Sequence, residues 1–199
     1  MYRKDKKHEY YTLKANKEGY PARSVYKLKD IDEKYHLFRE GDKVLDLGAA
    51  PGSWMQYIGS KVGEKGFVQG IDIQDLDIHL APRMSFAKKD LLELGSDDFQ
   101  KAKGKYDAVV SDAAPSTSGV PSLDAGRSFE LASKAFEIAC SVLKPGGDFL
   151  CKLFDGEYTG NFCKEIERSF SRVKRYRPKA VTKVSRELYI IAKTFAPKA

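Results

Sequence analysis

The stretch Asp46-Leu-Gly48-Ala-Ala-Pro51-Gly52-Ser-Trp54 gathers the residue types a nucleotide-like ligand needs. Glycines at 48 and 52 let backbone come close to a ligand, and a helix beginning just after them would offer it free N–H groups. The spacing is G-x-x-x-G. It is neither the G-x-G-x-x-G of dinucleotide sites nor a phosphate loop, which would end in Lys-Ser/Thr. Asp72, in Gly70-Ile-Asp72-Ile, follows the loop by about 20 residues, where a carboxylate can accept hydrogen bonds from ribose hydroxyls. Asp90, in Lys89-Asp90-Leu-Leu, comes after the next apolar run and would hold an adenine amino group. Either carboxylate alone reads equally well as a helix N-cap. Their recurrence at successive strand ends behind a Gly-Pro-Gly loop favours ligand binding.

These residues need a scaffold that brings strand ends together, and the chain has its pattern. Short apolar runs alternate with longer amphipathic stretches, the signature of a parallel sheet with crossover helices. Strands are expected at Val44 to Leu47, Phe67 to Ile73, Met84 to Ala87, Ala108 to Ser111 and Asp148 to Leu153. Helices are expected at Met55 to Val62, Asp124 to Leu143 and Gly160 to Phe170, the second stopped by Lys144-Pro145-Gly146-Gly147. Arg172 to Arg177 and Leu188 to Lys193 look like a closing strand pair. Ahead of the sheet, Val25, Leu28 and Ile31 recur at helical spacing between Ala22 and about Tyr35, so Lys27 rides on a helix. Residues 1–20, rich in Lys and Tyr and poor in aliphatic side chains, read as an arm, and 21–199 as one domain.

With 199 residues, a net charge of +7 and a pI near 9.1, the surface should attract polyanions. The charge is uneven. Arg3, Lys4, Lys6, Lys7, Lys14, Lys17, Arg23, Lys27 and Lys29 crowd the start, among Tyr2, Tyr10, Tyr11, Tyr20 and Tyr26. Basic residues recur from Arg168 through Arg172, Lys174, Arg175, Arg177, Lys179 and Lys183 to Arg186. Basic groups bind phosphates and tyrosines stack on unpaired bases, so both stretches are expected to flank a cleft that takes nucleic acid. Cys140, Cys151 and Cys163 form no C-x-x-C pair, which suits a reducing cytoplasm. No metal is expected, since His8, His36 and His79 lack zinc-ligand spacing. No run approaches the roughly 18 apolar residues of a membrane span, and no apolar leader opens the chain.

The loop Asp-Leu-Gly-Ala-Ala-Pro-Gly-x-Trp resembles the signature of the FtsJ/RrmJ (RlmE) family of RNA ribose 2′-O-methyltransferases. The likeness covers nearly the whole chain. It includes Ser24-Val-Tyr-Lys27-Leu, Ser111-Asp112-x-Ala-Pro115, Ser118-Gly119, Leu143-Lys-Pro-Gly-Gly147, Lys152-Leu-Phe154 and Ser185-Arg-Glu187-Leu-Tyr189. It departs from the commoner pattern at Ser53, Ala113 and Ser116-Thr117. The resemblance implies a Rossmann-like class I S-adenosylmethionine-dependent methyltransferase, an α/β fold with a doubly wound, mostly parallel seven-stranded sheet and helices on both faces. It implies S-adenosyl-L-methionine held by Gly52, Trp54, Asp72, Asp90 and Asp112, with S-adenosyl-L-homocysteine as product. It also implies a catalytic tetrad of Lys27, Asp112, Lys152 and Glu187.

Methyl transfer from a sulfonium is an in-line displacement, so alignment of the acceptor supplies much of the acceleration. A ribose hydroxyl is a weak nucleophile, and Lys152 is the expected general base, with Lys27 as the cation that would lower its pKa. A charged Lys152 stabilising the developing oxyanion is the other version. The expected substrate is a uridine of large-subunit (23S-type) ribosomal RNA, methylated by a cytoplasmic monomer. The anticodon loop of transfer RNA, and a catalytically silent RNA-binding or ribosome-assembly protein on the same fold, are the competing readings.

Overall fold

The computed structural model describes residues 2–182 and 185–196, and side chains within them other than those of residues 2–6 and 96. Seven strands form: β1 (Lys43–Leu47), β2 (Phe67–Asp72), β3 (Met84–Lys88), β4 (Tyr106–Ser111), β5 (Leu143–Phe154), β6 (Phe170–Tyr176) and β7 (Glu187–Phe195). They make one sheet in the order β3-β2-β1-β4-β5-β7-β6. β1 to β5 pair in parallel, while β7 runs antiparallel to β5 and β6. The α/β, doubly wound sheet is as expected.

The helices are α1 (Tyr2–Lys17), α2 (Val25–Tyr35), α3 (Ser53–Val62), α4 (Ser96–Phe99), α5 (Pro121–Val142) and α6 (Thr159–Ile166). Alternation along the strands divides the core in two. Val44, Val110, Leu150, Tyr189 and Ile191 pack with Leu28 and Ile31 of α2 and Met55 and Ile58 of α3. Leu45, Leu47, Val109, Phe149 and Ile190 pack with Ala135, Phe136 and Ala139 of α5 and Phe162 and Ile166 of α6. Strand order reverses between β1 and β4, which opens a crevice at the carboxyl ends of these strands.

Three elements differ from expectation. Residues 1–20, expected as an arm, carry α1; Ala15 is buried and the Tyr11 ring lies 5.2 Å from that of Tyr26. Aromatic packing and a Lys7 Nζ bond to the Val181 carbonyl (3.3 Å) attach a helix that has almost no aliphatic stripe. Lys144 to Gly147 does follow a helix end, but it lies inside β5. Tyr106 pairs with Leu143 and Ala108 with Asp148, so the intervening residues bulge from the strand, with Gly146 at φ +84°. α6 stops at Ile166 rather than Phe170 because Phe170 opens β6 and packs among Phe136, Phe149 and Phe195.

Candidate active site

The loop after β1 closes on the loop after β4. Gly48 has φ +79°, and a Cβ there would sit 2.6 Å from the Ala113 backbone nitrogen, a clash only glycine avoids. Asp72, ending β2, accepts from the Ala50 N–H (2.9 Å) and the Gln74 N–H (2.8 Å), so it holds the glycine loop in place. Asp90 accepts from the Leu92 N–H (2.9 Å) and is an N-cap of the short turn Leu91–Glu93. Capping does not withdraw Asp90 from the crevice wall. Asp72, Asp90 and Asp112 all line a cavity of about 210 Å³ with Gly48, Ala50 and Leu131.

Gly52 and Trp54, expected at the cofactor, stand next to this loop but do not line the cavity. Gly52, at φ +112°, faces Ile78, where a Cβ would come within 2.6 Å of the side chain. Trp54 is 3% exposed, lies 6.0 Å from the Tyr189 ring and donates from Nε1 to the Ser24 carbonyl (3.1 Å). Its neighbour Ser53, the departure from the commoner loop, accepts the Ala22 N–H on Oγ (2.7 Å). The start of α3 thus grips the segment that leads into α2. Asp32 of α2 completes the grip: its carboxylate accepts from the Leu37 and Phe38 N–H groups and the Tyr57 hydroxyl of α3 (2.8 Å).

That grip delivers Lys27. Its Nζ lies 2.7 Å from Glu187 Oε1, at the start of β7. Lys152 Nζ lies 3.1 Å from Asp112 Oδ1 and also donates to the Asp112 carbonyl. Lys152 stands opposite Tyr189 in the β5–β7 pairing, and Tyr189 shares its face with Glu187, two residues away. The buried Tyr189 hydroxyl meets Asp112 Oδ1 at 2.7 Å and Glu187 Oε1 at 3.0 Å. All four tetrad residues therefore converge at one sheet edge, and Tyr189, a residue that sequence reasoning misses, joins the two ion pairs. Period-two spacing from Glu187 is the signal that could have found it.

The electrostatics are acidic at the crevice. Burial pushes the Asp112 carboxyl up, but Lys152, then Lys27 and the Tyr189 hydroxyl, outweigh it and hold it below the usual range. Burial, and then the Asp112 and Glu187 carboxylates, push the Tyr189 phenol far above its ordinary value. Asp46, in β1, is fully buried with no hydrogen-bond partner among the described residues. Burial, then Asp112 and Asp72, drive its carboxyl well up. Asp72 and Asp90, the cavity carboxylates that form no ion pair among the described residues, suit a ligand that brings positive charge together with hydroxyl and amino donors. Among the described residues no group of His, Cys, Asp and Glu could hold a metal ion, and no helix is long and apolar enough to cross a membrane.

A mostly parallel sheet with this crevice, and with paired lysines and carboxylates at its rim, is that of a Rossmann-like methyltransferase. The chain belongs to the FtsJ-like methyltransferase family, whose profile matches residues 20–195. It is 41% identical over 183 residues to the ribosomal RNA large subunit methyltransferase E of Desulfatibacillum aliphaticivorans, covering 92% of this chain and 88% of that one. It is 42% identical over 193 residues to the protein of the same name from Methanothrix thermoacetophila, covering 96% and 73%. A crystal structure described as a ribosomal RNA methyltransferase from Plasmodium falciparum superposes with a TM-score of 0.79 at 26% identity, covering 90% of this chain and 100% of that chain.

Proposed function

We propose that the protein transfers a methyl group from S-adenosyl-L-methionine to a ribose 2′-hydroxyl of large-subunit ribosomal RNA, most specifically to a uridine of 23S-type RNA. The observation that carries this is the pairing of Lys152 with Asp112 and of Lys27 with Glu187 through one tyrosine, beside a cavity lined by three carboxylates. The relatives named above are large-subunit ribosomal RNA methyltransferases, which supports the choice of RNA. Asp72 would accept from the cofactor ribose and Asp90 from its adenine amino group. Gly52 and Trp54 would act by shaping the loop and the approach of α2.

When bound, the cofactor supplies an electrophilic methyl on a sulfonium. Asp112 anchors Lys152 at the acceptor oxygen. Lys152 would take the proton that the hydroxyl gives up as it becomes the methyl acceptor. Lys27 and Glu187 position the ribose. A second version is favoured by one observation: Lys152 has two acceptors on Asp112, a carboxylate and a carbonyl, an arrangement suited to an ammonium that steadies developing oxyanion charge. A pH–rate profile separates them, because general-base catalysis gives a rising acid limb that a permanently charged lysine does not.

The basic stretches support RNA binding. Lys7 reaches the Val181 carbonyl, and Asp30 of α2 accepts from Tyr176 and from the Lys179 N–H, so the start of the chain adjoins the 176–181 segment. Lys183 and the side chains of Arg3, Lys4 and Lys6 lie outside the described residues. The protein is read as a cytoplasmic monomer of one domain spanning 21–199, extended by residues 1–20. The test is to map ribose methylations in ribosomal and transfer RNA with and without this protein, and to repeat with Lys152→Ala. Loss of one methylation in 23S-type RNA supports the reading; a loss confined to transfer RNA moves the substrate there; no loss refutes it.

A further inference from the structure

The rim beside Glu187 carries a second built surface that the tetrad does not use. Tyr158, just before α6, lies parallel on Phe129 of α5, with centroids 4.8 Å apart and planes 12° apart. Phe129 is in turn wedged edge-on against the buried Phe162 at 5.5 Å and 89°. The inner face of the tyrosine is thus backed by core, while the residue remains 38% exposed. Val120 and Leu123, 51% and 46% exposed, extend the apolar surface along the start of α5.

Arg186 ties this surface to the reacting centre. It precedes Glu187, donates from Nε to the Asp155 carbonyl (2.9 Å) and from Nη1 to the Pro121 carbonyl (2.9 Å), and its own carbonyl accepts the Asp155 N–H (2.7 Å). Its positive charge meets carbonyls, and neither Arg186 nor the exposed Arg127 forms an ion pair with an acid among the described residues. The other wall is the loop from Asp112 to Val120, which starts in the cofactor cavity and is held by Ser118 bonds to Asp124 (2.7 and 2.8 Å).

We infer that the outer face of Tyr158 is a stacking platform for one unpaired nucleobase of the RNA, with Arg127 and Arg186 placed for the flanking phosphates. The inference rests on the reading of the protein as an RNA methyltransferase. Four features select a base over other flat or apolar ligands. A parallel two-ring stack with one free face is extended naturally by another flat π-system. Guanidinium groups stand on the segments beside it: Arg186 donates to the Asp155 and Pro121 carbonyls, and the exposed Arg127 lies one turn after Asp124 on α5. The platform adjoins the residues that would handle the ribose. The Glu157 carboxylate beside the Tyr158 hydroxyl, which pushes that phenol up, disfavours a phosphate on the ring itself but can accept an N–H from a base edge.

The test uses the full chain with single-stranded RNA carrying 2-aminopurine, whose fluorescence falls on stacking. The native protein and Tyr158→Phe should quench it. Tyr158→Ala should lose the quench and bind the RNA between about fivefold and a hundredfold more weakly, the effect of removing one base–aromatic stack. Cofactor affinity and the salt dependence of RNA binding should be unchanged, which a general loss of folding would not allow. An abasic nucleotide at the stacked position should raise KM for the native enzyme but not further for Tyr158→Ala. Equal quenching by native and Tyr158→Ala, or no quenching by either, overturns the platform. Failure of the native enzyme to methylate any RNA is a separate result that overturns the functional reading instead.

Discussion

Replacing Lys152 with methionine removes the amine and keeps most of the stem, so it isolates the charge. The pair it breaks is largely out of water, with side chains 7% and 15% exposed at 3.1 Å. Losing one partner of a buried pair costs about 3–5 kcal/mol, because the other charge is left without compensation. Lys27 and the Tyr189 hydroxyl still face Asp112, so the lower end, about 3 kcal/mol, is expected. For a chain of this size that lowers Tm by about 6–12 °C near neutral pH. The pH dependence follows from Asp112. In the native protein its carboxyl is held low, so its stabilisation is present above the ordinary carboxylate range and is lost as pH falls below it. In Lys152→Met burial prevails, the carboxyl titrates higher, and the deficit shrinks as pH falls through that raised range. Lys152→Met/Asp112→Asn should recover at least half of the lost stability while staying inactive. Thermal unfolding of the single and double variants at pH 7.5 and 4.5 measures all of this. A single variant as stable as the native protein at pH 7.5, or a double variant no better than the single, refutes the reasoning.

Tyr189→Phe removes a hydroxyl bonded to two carboxylates and should cost about 2 kcal/mol and slow methyl transfer; an unchanged Tm would show that the two ion pairs stand without it. Asp46 titrates high when folded, so its contribution is fully present below its unfolded pKa and lost as pH rises through the folded one. Asp46→Asn should therefore melt higher than the native protein at pH 8 and nearly level with it at pH 4, and the reverse order would contradict this. Gly48→Ala sets a side chain at positive φ against the Ala113 backbone and should cost about 1–3 kcal/mol, read as a lower urea midpoint, together with weaker cofactor binding by calorimetry. Lys14→Gln/Lys17→Gln should flatten the slope of log RNA affinity against log salt by about 0.7 for each phosphate that is no longer neutralised; an unchanged slope removes α1 from the RNA path.

The strand grammar was legible because it is local: buried parallel strands need apolar runs of fixed length, and glycine loops stand where strands end. Lys27, Asp112, Lys152 and Glu187 could be chosen only through family resemblance, since no spacing along the chain connects a helix ahead of the sheet with its closing strand. Tertiary packing decided the rest. Trp54, assigned to the cofactor through resemblance, has its indole N–H bonded to Ser24 and its ring near Tyr189, contacts that no spacing along the chain announces. Asp90 is both a cap and a cavity wall, a duality no single-residue reading resolves. Lys144 to Gly147 has the composition of a turn, but pairing on both sides keeps it within a strand. Residues 1–20 lack the aliphatic period that announces a docked helix, because rings and lysine stems make the attachment.

The ion pair between Lys27 and Glu187 joins the beginning of the fold to its closing strand, late in the sequence. The cavity, by contrast, is assembled wholly from residues between Gly48 and Leu131. The Asp112 wall is nonetheless held by the hydroxyl of Tyr189 in β7, so a polypeptide halted short of that strand would carry every lining residue of the pocket while one of its carboxylates lacked that hydroxyl and the Glu187 beyond it.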